Sequence, residues 1–137
     1  MGFGRLTVNC NTIKKNIADT RTQLTTGTKV LLIAKANAYG LGATTLCTQL
    51  KHDIDTIGVA TMDEAIDLRN NNIHLPILLL SEPNINDLPL LSAHNIAATV
   101  YDPNTIQTMD THTKRHNSRI KTHLKIDTGM TRLGTPW

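Results

Sequence analysis

An unbroken aliphatic run, Val30-Leu31-Leu32-Ile33-Ala34, is followed directly by a lysine and a stretch of small residues, Lys35-Ala36-Asn37-Ala38-Tyr39-Gly40-Leu41-Gly42. A run that is apolar at both odd and even positions has no polar face to offer water. It reads as a strand buried on both sides, as in a parallel sheet covered by helices. A lysine at the end of such a strand puts its amine at the carboxyl edge of the sheet, where α/β folds and barrels keep their active sites. Two readings of that amine compete: a solvated charge capping an apolar segment, and a nucleophile of the Schiff-base type. Ala36, Ala38, Gly40 and Gly42 leave open space and backbone N–H groups around it, and Tyr39 adds a hydroxyl, a make-up suited to close approach by a phosphate. It is no nucleotide loop, because Gly40-Leu41-Gly42-Ala43-Thr44-Thr45 lacks the third glycine of a dinucleotide fingerprint and no Gly-Lys-Ser/Thr triplet is present.

Helix and strand patterns alternate along the rest of the chain with no Pro/Gly/Ser-rich linker, so residues 1–137 read as one domain or part of one. Asn9 or Asn11 caps a first helix whose inner face carries Ile13, Ile17 and Leu24, with Gly27 closing it before a strand at 30–34. A helix follows at 43–51 and a short buried strand at 56–60. Thr61-Met62-Asp63-Glu64 then forms a capping box that opens a helix running to about Asn70. A third strand is expected at 75–80, with Pro76 tolerable near its start, and Asn84 caps a short helix after it. The fourth strand is expected at 96–101, before an Asp102-Pro103 helix start, and the fifth at 120–126. Strands recurring about every 20 to 25 residues with helices between them predict parallel βαβ units with right-handed crossovers.

Two separated motifs carry a family likeness. Ala34-Lys35-Ala36-Asn37-Ala38-Tyr39-Gly40-Leu41-Gly42 resembles the pyridoxal-phosphate lysine motif of the alanine racemases. His123-Leu124-Lys125-Ile126-Asp127-Thr128-Gly129-Met130-Thr131-Arg132-Leu133-Gly134 resembles that family's second N-terminal signature, in the same order and at a fitting separation. Between them, Gly58-Val59-Ala60, Glu64 and Leu68-Arg69 are similar to the family's second strand and following helix. Two departures stand out: Leu41 replaces a histidine common between the glycines, and Asn9-Cys10 replaces an acidic-apolar pair before the first helix.

The resemblance implies an α/β fold, a partial (β/α)8 TIM barrel with about five parallel strands and no C-terminal β-domain, a complete barrel taking about 250 residues. It implies pyridoxal 5'-phosphate as cofactor and alanine as small-molecule substrate, interconverted between its L and D forms for peptidoglycan synthesis. By that resemblance Lys35 carries the cofactor and exchanges the α-proton on one face of the substrate. Both tasks need a neutral amine, a form that neighbouring positive charge such as Arg132 favours. Arg132 would bond the cofactor's phenolic oxygen and reach the substrate carboxylate, a pair of acceptors that suits a planar guanidinium. Tyr39 would help hold the phosphate, and Lys125 matches a lysine that is carbamylated in many members. For Arg132 and Lys125 the plain structural reading is an ion pair with Asp127; for Tyr39 it is a ring covering the rim.

The same likeness implies a homodimer in which the second base, a tyrosine, comes from the partner subunit's β-domain. Racemisation needs a proton-exchanging group on each face of the α-carbon, so a chain of 137 residues is expected to be an inactive N-terminal portion on its own. Its tail, Gly134-Thr135-Pro136-Trp137, breaks off abruptly after the second motif, and an exposed sheet edge with marginal stability or self-association is expected. A different class of function, a non-catalytic barrel module that only holds pyridoxal phosphate, fits the lysine motif as well, though such modules form a complete barrel.

The remaining features narrow the field. With 39% hydrophobic and 18% charged residues the chain has the make-up of a globular protein, and 3% aromatic means an aliphatic core. A net charge of +3 is small and scattered, and the cluster of Lys114, Arg115, His116, Arg119 and Lys121 has no interleaved aromatics, so no nucleic-acid partner is expected. Cys10 and Cys47 lie in no metal or redox spacing and read as reduced thiols. With no apolar run of membrane-spanning length and no leader pattern, the expectation is a cytoplasmic chain without a membrane partner. Met1-Gly2 opens like an acylation signal, but Leu6 stands where Ser or Thr is needed. His112 and His116, four apart on a helix, lack a third ligand and read as a solvated face rather than a metal site. Asp63, Glu64 and Asp67 sit in the first turns of a helix, favour its dipole, and are assigned no chemistry.

Overall fold

A computed structural model describes residues 4–136; residues 1–3, which include the Met1-Gly2 start, and Trp137 lie outside them. Helix α1 (Cys10–Arg21) starts at Asn9, whose Oδ1 accepts the amides of Asn11 at 3.0 Å and Thr12 at 3.2 Å. Of the two candidate caps it is therefore Asn9 that serves. The helix stops at Arg21, six residues short of Gly27, so Leu24 lies in the following turn and is exposed instead of facing inward. Arg21, the last helical residue, is tied down there: its guanidinium donates to the Asp53 carbonyl at 3.0 Å and the Asp55 carboxylate at 2.7 Å, and Asp55 accepts the Val30 amide at 2.7 Å. These bonds pin the end of α1 to the start of the sheet.

The main sheet is parallel, with β1 (Leu31–Ile33), β2 (Thr56–Val59), β3 (Ile77–Leu79), β4 (Ile96–Val100) and β5 (Thr122–Leu124) in chain order. Leu31 pairs with Thr56, Ile57 with Ile77, Ile77 with Ile96 and Ala98 with Thr122. Between the strands run α2 (Lys35–Tyr39), α3 (Ala43–Leu50), α4 (Met62–Asn70), α5 (Leu88–Ala93, entered through a 3-10 turn at Ile85–Asp87) and α6 (Pro103–Arg115). The fold is thus α/β, five consecutive strands of a (β/α)8 barrel sheet with their helices. The strand cores are shorter than their apolar runs: 75–80 contracts to Ile77–Leu79, and at its start Pro76 has no N–H to offer the ladder.

Alternation along the strands separates two faces. Ile57, Val59, Ile77, Leu79, Ile96, Ala98 and Val100 turn to the helices and pack on Leu46, Cys47, Leu50, Ala65, Leu68, Leu88, Leu91 and Met109 in one aliphatic core. Each such leucine or isoleucine contributes about 2 kcal/mol by leaving water. On the opposite face Leu31, Ile33 and Leu80 close over Gly58: a Cβ there would stand 2.9 Å from Leu31 and 3.1 Å from Ile33. At the other end of the strands, Arg69 donates to four carbonyls, those of Ile73, Leu75, His94 and Asn95, and so ties the entries to β3 and β4 together.

The expected fifth strand at 120–126 is interrupted. Main-sheet pairing ends at Leu124, and Ile126–Asp127 (β6) pairs instead with Thr135–Pro136 (β7), with Thr135 donating to the Lys125 carbonyl at 2.9 Å. The returning segment 128–134 takes the chain off the sheet edge. β5 is exposed throughout, and beside it Val100, Ile106, Met109, Ile120 and Leu124 line an open apolar groove against α6.

Candidate active site

Lys35 follows Ala34, which is buried and continues the β1 ladder by donating to the Gly58 carbonyl at 2.8 Å. The open loop expected next is instead a single left-handed turn. Ala36, Asn37, Ala38 and Tyr39 have φ of 51, 53, 53 and 56°, and none is glycine. Each such residue costs roughly 1–2 kcal/mol, so the turn must be held from outside. Ala38 donates to the Ala34 carbonyl at 2.9 Å and Gly42 to the Asn37 carbonyl at 3.0 Å. Asn37 Oδ1 accepts the Ala43 amide at 2.8 Å, capping α3 where Gly42 has no side chain to do so. Gly40 and Gly42, at φ of 84 and 93°, are the positions where only glycine turns this way without strain.

Side chains stitch the carboxyl ends of neighbouring strands together along the rim. Glu64, at the start of α4, accepts the Ala36 amide on Oε1 at 2.6 Å and the Ala60 amide on Oε2 at 2.8 Å, joining the exits of β1 and β2. Ser81 donates to the Ala60 carbonyl at 2.6 Å, joining β3 to β2. Glu82 accepts the amides of Tyr101 and Asp102, both at 2.9 Å, joining β3 to β4. The capping box read from the sequence is present, with Glu64 and Thr61 bonded reciprocally. The reach of the same carboxylate to Ala36 was not foreseen. The available signal was topological, since a parallel βαβ unit lays the first turn of the helix after β2 beside the exit of β1.

Within this rim lies a cavity of about 450 Å³ lined by Lys35, Ala60, Leu78, Leu80, Ser81, Thr99, His123, Leu124, Lys125, Arg132 and Leu133. Residues from the two sequence motifs, about ninety positions apart in the chain, therefore meet in one space. Lys35, Lys125 and Arg132 bring positive charge, and among the described residues no carboxylate lines the cavity. Leu78 and Leu80 give it an apolar wall, and Thr99, 5% exposed, a buried hydroxyl. Cations around an apolar wall fit a flat ring bearing anionic substituents, the chemistry of pyridoxal phosphate.

Arg132 is carried on the loop that Asp127 organises. Asp127 Oδ1 accepts the Thr131 amide at 2.9 Å and the Gly129 amide at 3.0 Å. Those bonds, Thr131's first, hold its carboxyl below the usual carboxylate range, with the charge of Lys125 adding less. Among the described residues Asp127 makes no ion pair with Lys125 or Arg132, so the alternative reading of those cations is corrected. Tyr39 is placed differently from the others. The residue is 66% exposed and does not line the cavity, and its ring centroid lies 5.9 Å from Lys35 Nζ. His123 and Thr99, paired across β4 and β5, line the cavity without having been singled out for it. His112 on α6 and His116 just after it lie with tilted rings, centroids 4.4 Å apart, away from this space.

Residues 8–137 match the family described as alanine racemase, N-terminal domain. The chain is 39% identical over 130 residues to the alanine racemase of Haemophilus influenzae, covering 93% of this chain and 35% of that protein. Among solved structures it is similar to alanine racemase from E. faecalis, with a TM-score of 0.87 at 32% identity over 93% of this chain and 35% of that one. It is also similar to that of Clostridium difficile 630, with a TM-score of 0.85 at 32% identity over 91% and 33%. The chain therefore spans about a third of the length of the relatives it matches. No described helix is long and apolar enough to cross a membrane. A parallel barrel sheet whose rim gathers both signature motifs, over a match that runs from residue 8 to the end of the chain, places this protein in the alanine racemase family as an N-terminal barrel segment.

Proposed function

We propose that this chain supplies the lysine side of an amino-acid racemase site, with pyridoxal 5'-phosphate as cofactor and alanine as substrate. The observation that carries the reading is the convergence of Lys35, Lys125 and Arg132 on one cavity at the exit of the strands, lined by no carboxylate among the described residues. When bound, pyridoxal phosphate acts as an electron sink that weakens the bond to the substrate's α-hydrogen. Lys35 is the group that would hold the cofactor and move a proton at the α-carbon on its own face. Arg132 would orient an anionic oxygen and the substrate carboxylate through its planar fork. Lys125, next to it in the cavity, is suited to fix the arginine once carbamylated, and Tyr39 to cover the lysine from outside.

A proton donor for the opposite face is proposed to lie outside these residues, on a partner subunit of a homodimer, so racemisation by this chain alone is not expected. Incubation with pyridoxal phosphate, borohydride reduction and peptide mass spectrometry tests the reading. A stoichiometric adduct on Lys35, lost in Lys35→Ala, is expected. Adducts scattered over surface lysines would overturn it.

A further inference from the structure

We propose that Glu64 is a positioning residue for Lys35, holding the lysine at its place on the rim through the amide of the next residue, Ala36; this rests on the reading of Lys35 as the cofactor-carrying group. One half-buried carboxylate gathers three backbone N–H groups: Ala36 at 2.6 Å on Oε1, and Ala60 at 2.8 Å and Thr61 at 3.3 Å on Oε2. A capping box accounts for the Thr61 bond alone. The shortest of the three bonds goes to a residue 28 positions away, on the far side of the β1–β2 pair. A carboxylate acceptor makes that bond charge-assisted and stronger than a neutral one.

The donating amide belongs to the first residue of the left-handed turn, where four successive residues other than glycine have positive φ. Without an acceptor on the β2 side, nothing ties the first residue of that turn to the neighbouring strand. The direction in which Lys35 leaves Ala34 is then free to change. Glu64 is not among the residues lining the Lys35 cavity, so it acts on the lysine through backbone, not through the cofactor.

The carboxylate is needed specifically. Glutamine keeps the length but has one acceptor oxygen, so it can satisfy Ala36 or Ala60 and must turn its own N–H2 toward the other amide. Asp63, in the same helical turn, offers a control for loss of negative charge near the helix start.

The test uses the chain with Glu64→Gln, Glu64→Ala and Asp63→Ala, and two readouts. The first is hydrogen exchange of the Ala36 amide, followed alongside the β2 and β3 amides as a check that the fold persists. The second is the share of borohydride-trapped pyridoxal phosphate label found on Lys35. Glu64→Gln and Glu64→Ala are expected to speed exchange at Ala36 about tenfold and to cut the Lys35 share about fivefold, with Asp63→Ala doing neither. A Lys35 share unchanged in Glu64→Gln would overturn the positioning role. Indiscriminate labelling in the unmutated chain would overturn the Schiff-base reading instead, while the exchange comparison still decides whether Glu64 holds the turn.

Discussion

Asp127 Oδ1 accepts the Thr131 amide at 2.9 Å, and in doing so folds back the loop whose next residue is Arg132. The carboxylate is occupied by backbone and not by a cation. Among the described residues the ion pairs are Lys14 with Asp53, Arg21 with Asp55 and Lys114 with Asp110, all away from the cavity. The positive charge of Lys125 and Arg132 is therefore left unneutralised by this loop, available to an anionic ligand.

A pH dependence of the loop follows. The Thr131 and Gly129 amides lower the folded-state pKa of Asp127 beneath its unfolded value. The loop's stabilisation is thus complete above the usual carboxylate range and lost as pH falls through the lowered folded value. An NMR titration is expected to show the Thr131 and Gly129 amide resonances moving together in acid, below the usual aspartate midpoint. In Asp127→Asn that movement should vanish.

Gly134 stands where a side chain cannot. Its φ is 121°, and a Cβ there would lie 2.7 Å from the Asp127 amide nitrogen and 3.0 Å from the Ile126 carbonyl carbon, both backbone atoms. Gly134→Ala is expected to break the β6–β7 pairing and displace Arg132, lowering the retention of pyridoxal phosphate at least severalfold. The melting transition should fall by only a few degrees, because the core lies elsewhere. Equilibrium dialysis and a thermal melt measure the two effects.

Arg69 binds four carbonyls and no carboxylate. Burial pulls its pKa down from the ordinary arginine value, yet the group stays charged because each carbonyl is an acceptor. Arg69→Lys keeps the charge but cannot reproduce the fork, and should cost about 2–3 kcal/mol in urea unfolding. Arg69→Met, which strands the same carbonyls, should cost at least as much.

The two thiols should differ sharply. Cys47 is fully buried in the core, and burial pushes its pKa up to about 11, whereas Cys10 is half-buried at the start of α1. With a thiol reagent at mildly alkaline pH, Cys10 is expected to react in the native chain and Cys47 only after denaturant is added, in a count of one thiol and then two.

What was legible in the sequence was whatever neighbouring residues decide between themselves. The Thr61 box and the Asp102-Pro103 start are local chemistry, and α4 and α6 begin where those signals stand. The apolar runs gave the strands and their parallel order for the same reason, each being too uniformly aliphatic to face water. Features set by distant partners were hidden. The strand expected at 120–126 is cut at Lys125 because Ile126 pairs with Thr135, and nothing within the run announces that. The left-handed turn after Lys35 is built from two alanines, an asparagine and a tyrosine, of which only the asparagine takes that conformation readily. At the site, the motifs pointed to Lys35, Lys125 and Arg132, which do share a cavity, and to Tyr39, which stays outside it. Glu64 was read as a helix acid because only the fold brings Ala36 to it.

The strand order 1-2-3-4-5 has a consequence for how such a sheet comes into being. Every strand finds its neighbour in the one translated just before it, roughly twenty residues earlier, so closing each pair costs little loop entropy. A chain leaving the ribosome from its N-terminus can therefore add one βα unit at a time to a template already in place. Each newly docked strand becomes the landing edge for the next, and Lys35 waits on the rim until the segment bearing Lys125 and Arg132 reaches it.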